Sequence, residues 1–215
     1  MSEEVLPSAG GDEKRLLRNA PVQARSAARL AALLDAAASV LEEVGMERLT
    51  TALVAERAGA SIGTVYRYFP DRVALLQALA ARNLQRLEER IDAAIPAAVG
   101  SASEALDSVA GVFVSMFRTE PGFRSLRLGD VLDLRDAAAP EAAKSRLARS
   151  IADSMTVAYD DVDAESLTGR LEIALEVLDS LVTRAFVSDP GGDERFLIPA
   201  RRTYLSLLED RVLAA

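Results

Sequence analysis

The chain has 215 residues, half of them hydrophobic, with 25 Lys and Arg against 33 Asp and Glu and neither Cys nor His. That length holds one ordinary domain, or a small domain joined to a larger one, and the apolar content is enough for a core. Without thiols or imidazoles the chain can form no disulfide, no thiolate metal site and no His-based triad, so no metal or cofactor is expected and an enzyme would have to work with Asp, Glu, Lys, Tyr or Ser.

Residues 1–13 contain two Gly, one Pro and mixed charge, and they read as a disordered tail. They lack the basic-then-apolar order of a signal peptide. No apolar run in the chain nears the roughly 18 to 20 residues that span a bilayer. The expected location is cytoplasmic, with no membrane partner. Next comes a basic run: Lys14, Arg15, Arg18, Arg25 and Arg29, with no acid from residue 14 to residue 34. The net charge of -8 is therefore uneven. Residues 1–80 hold nine bases against ten acids, and residues 81–215 hold sixteen against twenty-three. A basic patch on an acidic body can bind phosphates while the body limits indiscriminate binding; the alternative is a solvated helix start.

From Val22 to Val44 the residues Leu30, Leu33, Leu34, Ala37, Val40, Leu41 and Val44 recur at helical spacing, and Gly45 supplies a stop. Thr50 opens a second helix through Ala58, with Leu53, Val54 and Ala58 expected inside and Ala55 small enough for a crossing helix. Ala58-Gly59-Ala60 breaks it, and Ser61 opens a third helix, small and polar at its start and aromatic at its end. Two short helices around a Gly-containing break are the sequence form of a helix-turn-helix. Pro70 fits the first turn of a fourth helix, and Asp71 suits its dipole. That helix runs through Leu75, Leu79, Leu87 and Ile91 and should end near Pro96.

After the linker-like IPAAVGSAS, Ser101 and Glu104 form a capping box for a helix through Phe117, which Pro121-Gly122 ends. Residues 123–136 are a short helix or irregular. Pro140 starts a helix reaching about Tyr159. Asp160, Asp161 and Asp163 lack the Gly and closing Glu of a calcium loop and read as a solvated turn. Residues 164–187 carry an apolar stripe of Leu167, Leu171, Ala174, Leu175, Leu178 and Val182. Asp189-Pro190-Gly191-Gly192 is a loop, and a last helix covers 194–212, with Pro199 kinking it or marking its start. No strand-like alternation or repeat is present. The expected architecture is all-α, about nine helices. A flexible basic extension (1–21) precedes a three-helix DNA-binding domain (22–72), which a fourth helix joins to a larger helical domain (73–215), for which the family resemblance of the helix-turn-helix implies effector binding and dimerisation.

Gly45, Thr50-Thr51, Ala55, Ala58-Gly59-Ala60-Ser61, Gly63-Thr64-Val65-Tyr66, Tyr68-Phe69-Pro70 and Leu75 together resemble the DNA-binding domain of the TetR family of bacterial transcriptional regulators. The likeness covers about residues 25–80; the rest resembles the family only in being helical and of suitable length. Residue chemistry agrees. Ser61 can cap the recognition helix, whose free N–H groups favour phosphate oxygens. Gly63 lets the backbone approach DNA closely. Thr64 offers a hydroxyl and a methyl, and Arg67 is the candidate base reader through guanine O6 and N7. Tyr68 is assigned to phosphate, and Tyr66 stays open between packing and DNA. Thr50 and Thr51 resemble the family's phosphate contacts, and Arg72 stands where the family usually has Lys. Arg25 joins them from the basic run. Ala52 and Ile62 offer no polar base contact, which shifts weight to Arg67, Thr64 and DNA shape. Val65 and Phe69 are core. Lys14, Arg15 and Arg18 form either a minor-groove arm or a floppy tail.

The resemblance implies a ligand-responsive repressor that binds a palindromic operator as a dimer and is released by a small molecule. It implies a dimer bundle from the last two helices through Leu167, Leu171, Leu175, Leu178, Val182, Tyr204 and Leu208, with intrachain packing as the alternative. Phe113, Met116, Phe117, Phe123, Met155 and Tyr159 are a Met-and-aromatic set suited to an apolar effector pocket, or else ordinary core. Asp179, Tyr159, Arg127 and Asp130 are candidate polar partners for an apolar or aromatic effector. The rival readings are a DNA-binding regulator controlled by a protein partner, and a helical enzyme, which is not expected.

Overall fold

The computed structural model describes residues 12–98, 100–126 and 142–212, with side chains from residue 24 to residue 208 within those ranges. Among them lie eight α-helices, two 3-10 turns and no strand. The helices are α1 (Asp12–Val44), α2 (Thr51–Arg57), α3 (Ile62–Tyr68), α4 (Arg72–Ala97), α5 (Ala102–Thr119), α6 (Ala143–Ala158), α7 (Ala164–Ala185) and α8 (Glu194–Val212). The 3-10 turns are Met46–Arg48 and Phe123–Ser125. Residues 1–11, the side chains of Lys14, Arg15 and Arg18, and the residues Arg127, Asp130 and Pro140 lie outside the described set.

Local chemistry sets the helix starts. The Thr50 hydroxyl accepts from the Leu53 N–H at 3.2 Å and the Ser61 hydroxyl from the Thr64 N–H at 3.1 Å. The Asp71 carboxylate accepts from the Ala74 N–H at 2.7 Å. Pro70 therefore precedes the cap of α4 and does not open its first turn: Asp71 must stay extended for its carboxylate to reach back to the first free N–H groups. Ser101 and Glu104 form the expected capping box. Pro199 lies inside α8 and does not start it.

Two cores result. The first joins α1, α2, α3 and the start of α4 through Leu33, Leu41, Val54, Val65, Phe69, Leu75 and Leu79. In α2 the inward face is Thr51, Val54 and Ala55, whereas Leu53 is exposed and Ala58 only partly covered, contrary to the expectation for both. Leu53 sits one residue off the inward face, about 100° around the helix, so it cannot share that face. The second core joins the later part of α4 with α5 to α8. Helix α4 serves both, with Leu75 and Leu79 in the first and Leu87, Ile91 and Ile95 in the second.

Leu167, Leu171, Leu175, Leu178, Val182, Tyr204 and Leu208 are each at most 1% exposed in the single chain. They pack within one chain and cannot face a second subunit. Their stripe is consumed by the contacts of α7 with α6 and α8. Among the described residues, the large apolar side chains left exposed on these helices are Ile173 and Ile198, each 60% exposed. No helix among the described residues is long and apolar enough to cross a membrane.

Candidate nucleic-acid interface and effector core

Val65 and Phe69 anchor α3 in the first core, so the remaining turn surface faces out: Ser61, Ile62, Gly63, Tyr66 and Arg67 are exposed and Thr64 is half-buried. A methyl added at Gly63 would meet only the Ser61 hydroxyl, at 3.8 Å, so nothing within the chain forbids a side chain there. The room it leaves is on the outer face, at the end whose N–H groups point outward. The Ser61 and Thr64 hydroxyls lie 2.9 Å apart and hold that end in shape.

Two assigned residues, Thr51 and Arg72, take different roles from those expected. Thr51 is buried, and its hydroxyl donates to the Tyr66 hydroxyl at 3.4 Å. It acts as a prop for Tyr66 and has no surface to offer a phosphate. The helical phase of α2 decides this, because Thr50 caps outside the helix while Thr51 falls on its inward face. Tyr66 accepts from Thr51, so its own proton remains for another acceptor, and its ring is half exposed. Arg72 donates through Nη2 to the Met46 carbonyl, and its Nε is buried with no acceptor among the described residues. It straps α4 to the turn before α2 and is only partly available as a phosphate contact. Thr50 stays exposed at the head of α2.

On the other side of α3 the Tyr68 hydroxyl lies 3.2 Å from the Ser26 hydroxyl of α1, and the Arg67 guanidinium sits over the Tyr68 ring, 5.8 Å from its centre. Arg25, Ser26, Ala28, Arg29, Ala32, Arg67 and Tyr68 line a cleft of about 730 Å³. Arg29 and Ser26 join the site here. In the sequence Arg29 stood out only as part of a basic run, and nothing marked Ser26.

In the body, Phe113, Met116, Phe117, Phe123 and Met155 are all buried in the second core. The rings touch: Phe117 lies 5.6 Å from Phe113 and 5.3 Å from Phe123, the latter edge-on. Phe186, at the end of α7, adds a fourth ring 5.4 Å from Phe117; its position after a Val-Thr-Arg-Ala stretch gave no sequence signal. Tyr159 is half-buried at the end of α6. Asp179 is buried but engaged by the Lys144 ammonium at 2.9 Å, which also reaches Glu176 at 2.8 Å. Burial pulls the Lys144 ammonium down, but the two carboxylates outweigh it and hold the group above its ordinary range. Asp179 is thus already neutralised and is not poised to orient a ligand. Two buried polar groups have no hydrogen-bond partner among the described residues: both amide atoms of Asn83, which the sequence did not mark, and the hydroxyl of Tyr204, which was expected at a dimer face. Burial, with the Asp107 carboxylate, drives the Tyr204 hydroxyl well above the usual phenol range, so it is a neutral donor at any physiological pH.

Charge links the two cores. Asp35 of α1 pairs with Arg82 at 2.7 Å and Arg86 at 3.9 Å, both from α4. Glu120, at the end of α5 and 7% exposed, holds Arg86 and also Arg90 at 3.2 Å. No cluster of three or more Asp or Glu among the described residues could hold a metal ion. Asp163 instead caps α7 through the Glu165 N–H at 3.1 Å.

Residues 33–79 match the family model described as bacterial regulatory proteins, tetR family, and residues 100–212 match the tetracyclin repressor-like, C-terminal domain. A TetR-family transcriptional regulator from Streptomyces coelicolor is 34% identical, with a TM-score of 0.66, over 84% of this chain and 99% of that one. The HTH-type transcriptional repressor KstR of Mycolicibacterium smegmatis is 39% identical over 62 residues, which is 29% of this chain and 30% of that protein. The chain thus spans less than a third of the length of that curated relative. The Thermus thermophilus FadR structure, a TetR family repressor in complex with lauroyl-CoA, shares the fold at a TM-score of 0.59 and 20% identity, over 86% of this chain and 96% of that one.

Proposed function

The chain belongs to the TetR family of bacterial regulatory proteins, and on that premise we propose that it is a ligand-responsive transcriptional repressor acting in the cytoplasm. Its first core presents α3 to the major groove of an operator, and a small molecule bound in the body releases it. The observation that carries this reading is the outward face of α3. Capped by Ser61, bare at Gly63 and pinned by Val65 and Phe69, it leaves a helix start open to DNA. Thr64, Ile62 and Tyr66 meet the groove, and Thr50 and Arg72 steady the backbone.

One seven-residue helix makes a small interface, so the repressor works as a symmetric dimer on two half-sites about 34 Å apart or a multiple of that. The dimer face is the outer surface of α7 and α8. Arg170 donates to the Leu208 carbonyl at 2.8 Å, and the Arg184 guanidinium lies 4.9 Å from the centre of the Phe196 ring. That antiparallel register sets exposed Ile173 level with half-buried Leu205 and half-buried Leu181 level with exposed Ile198, and the two isoleucines centre an outer band. The effector is apolar or aromatic. The Met-and-aromatic core can rearrange around it, and Asn83 and Tyr204 offer it neutral hydrogen bonds. FadR of the same fold was solved with lauroyl-CoA, whose acyl chain is apolar while its coenzyme A part is charged.

Selection of duplexes from a random DNA pool by the full chain tests the reading. Enrichment of a palindrome is expected; a pool that stays random contradicts it. A thermal-shift screen then distinguishes a small-molecule effector from control by a protein partner, because a ligand that prefers the folded state raises the melting temperature.

A further inference from the structure

We propose that the cleft between α1 and the C-terminal end of α3 is a seat for a DNA backbone phosphate, and that Arg67 serves there and not as a base reader. The proposal rests on the DNA-binding reading above and goes beyond it by moving the chain's most conspicuous recognition-helix arginine out of the groove.

Three guanidinium groups, Arg25, Arg29 and Arg67, line the cleft with Ser26 and Tyr68, and no carboxylate among the described residues lines it. None of the three pairs with a carboxylate among the described residues. Neighbouring arginines behave differently: Arg57 pairs with Glu43, and Arg82 with Asp35. In a chain of net charge -8, three cations gathered in one pocket with no carboxylate partner among the described residues stand out. Like charges held together repel, and a bound anion removes that cost.

The position of Arg67 is fixed by what it touches. Its guanidinium stacks over the Tyr68 ring, within the range of a cation–π contact. Tyr68 in turn is held to α1 by its hydroxyl at Ser26. Arg67 is therefore aimed at α1 from the far end of a seven-residue helix, about 7.5 Å along the axis from Ile62. The helix start, where a base-reading side chain belongs, is the opposite end. The cleft also has the right chemistry for phosphate. Planar guanidinium forks match its oxygens, the Ser26–Tyr68 hydroxyl pair, which uses one proton between its members, adds one further donor, and Ala28 and Ala32 keep the floor open. A free inorganic anion shares this chemistry, and the test separates the two.

The experiment uses the full chain and a duplex that the wild type selects from random DNA. Affinity is titrated against salt for the wild type, for Arg67→Ala, and for the triple variant Arg25→Ala/Arg29→Ala/Arg67→Ala. All three positions are exposed, so circular dichroism and melting are expected to match the wild type. The triple variant should flatten the slope of log K against log salt by about one for each phosphate lost and weaken binding about tenfold or more near physiological salt. Sequences re-selected by Arg67→Ala should be those the wild type selects. A changed base preference in Arg67→Ala overturns the proposal. So does an unchanged slope in the triple variant; a thermal shift with inorganic phosphate that only this variant loses would then mark a seat for a free anion. A wild type that enriches no duplex fails the DNA-binding reading itself, a different result from enrichment with an unchanged slope.

Discussion

The adjacent hydroxyls of Thr50 and Thr51 look alike in sequence and do different work. One caps α2 at the surface; the other is buried and props Tyr66. Which is which depends on the phase of a seven-residue helix against its core, and a single stretch of sequence does not carry that phase. Chemistry was more legible than partners throughout. Asp179 was visible as a polar group on an apolar helix, but Lys144, 35 positions earlier, could not be paired with it until α6 and α7 met. That pair gives a sharp expectation. Lys144→Met leaves a buried carboxylate without its cation and should cost about 3 kcal/mol in denaturant unfolding at neutral pH. Lys144→Met/Asp179→Leu should recover much of that loss. Because the folded lysine titrates above its ordinary value, its contribution is complete below about pH 10.4 and is lost as pH rises through the higher folded value. The gap between wild type and Lys144→Met should therefore narrow only in strong alkali. A gap that closed between pH 6 and 8 would refute the pairing.

At the level of elements, the helix-turn-helix was the most legible part, because its caps, its break and its aromatic end are local. Ser61 caps α3, and Val65 and Phe69 are buried in the first core, the roles their residue types imply. The stripe on α7 was legible as buried, yet its partner was not. Helical periodicity says that a face is covered and is silent on whether the cover is the same chain or another. The stripe turned out to be intrachain, which moved the proposed dimer face to the outer band around Ile173 and Ile198. The shortness of α3 makes its cap matter. Ser61→Ala should cost about 1 kcal/mol locally, raising amide exchange at Val65 and weakening operator binding, while the melting of the second core stays put. Equal exchange at Val65 in both proteins would show that the cap is idle.

On the scale of the whole molecule, the two cores are tied by shared elements: α4 enters both, Phe123 and Leu126 lie in different cores one turn apart, and Asp35 and Glu120 share Arg86. A change in the body therefore has a mechanical route to α1 and the reading helix. No sequence pattern announced this route, because it joins residues far apart in the chain. The proposed dimer places two such routes side by side. Ile173→Glu/Ile198→Glu changes two exposed positions and should keep the fold while shifting micromolar sedimentation from dimer to monomer and lowering operator affinity at least tenfold. A dimer that survives both charges would place the interface elsewhere.

The most direct test of the repressor reading is a competition titration at physiological salt between the selected duplex and a scrambled duplex of the same length and composition. Sequence-specific readers of this kind prefer their site by about a thousandfold or more, and that ratio is the expected result, with two chains bound per duplex. Equal affinity for the two duplexes would show a surface that meets DNA by charge alone and would contradict the account.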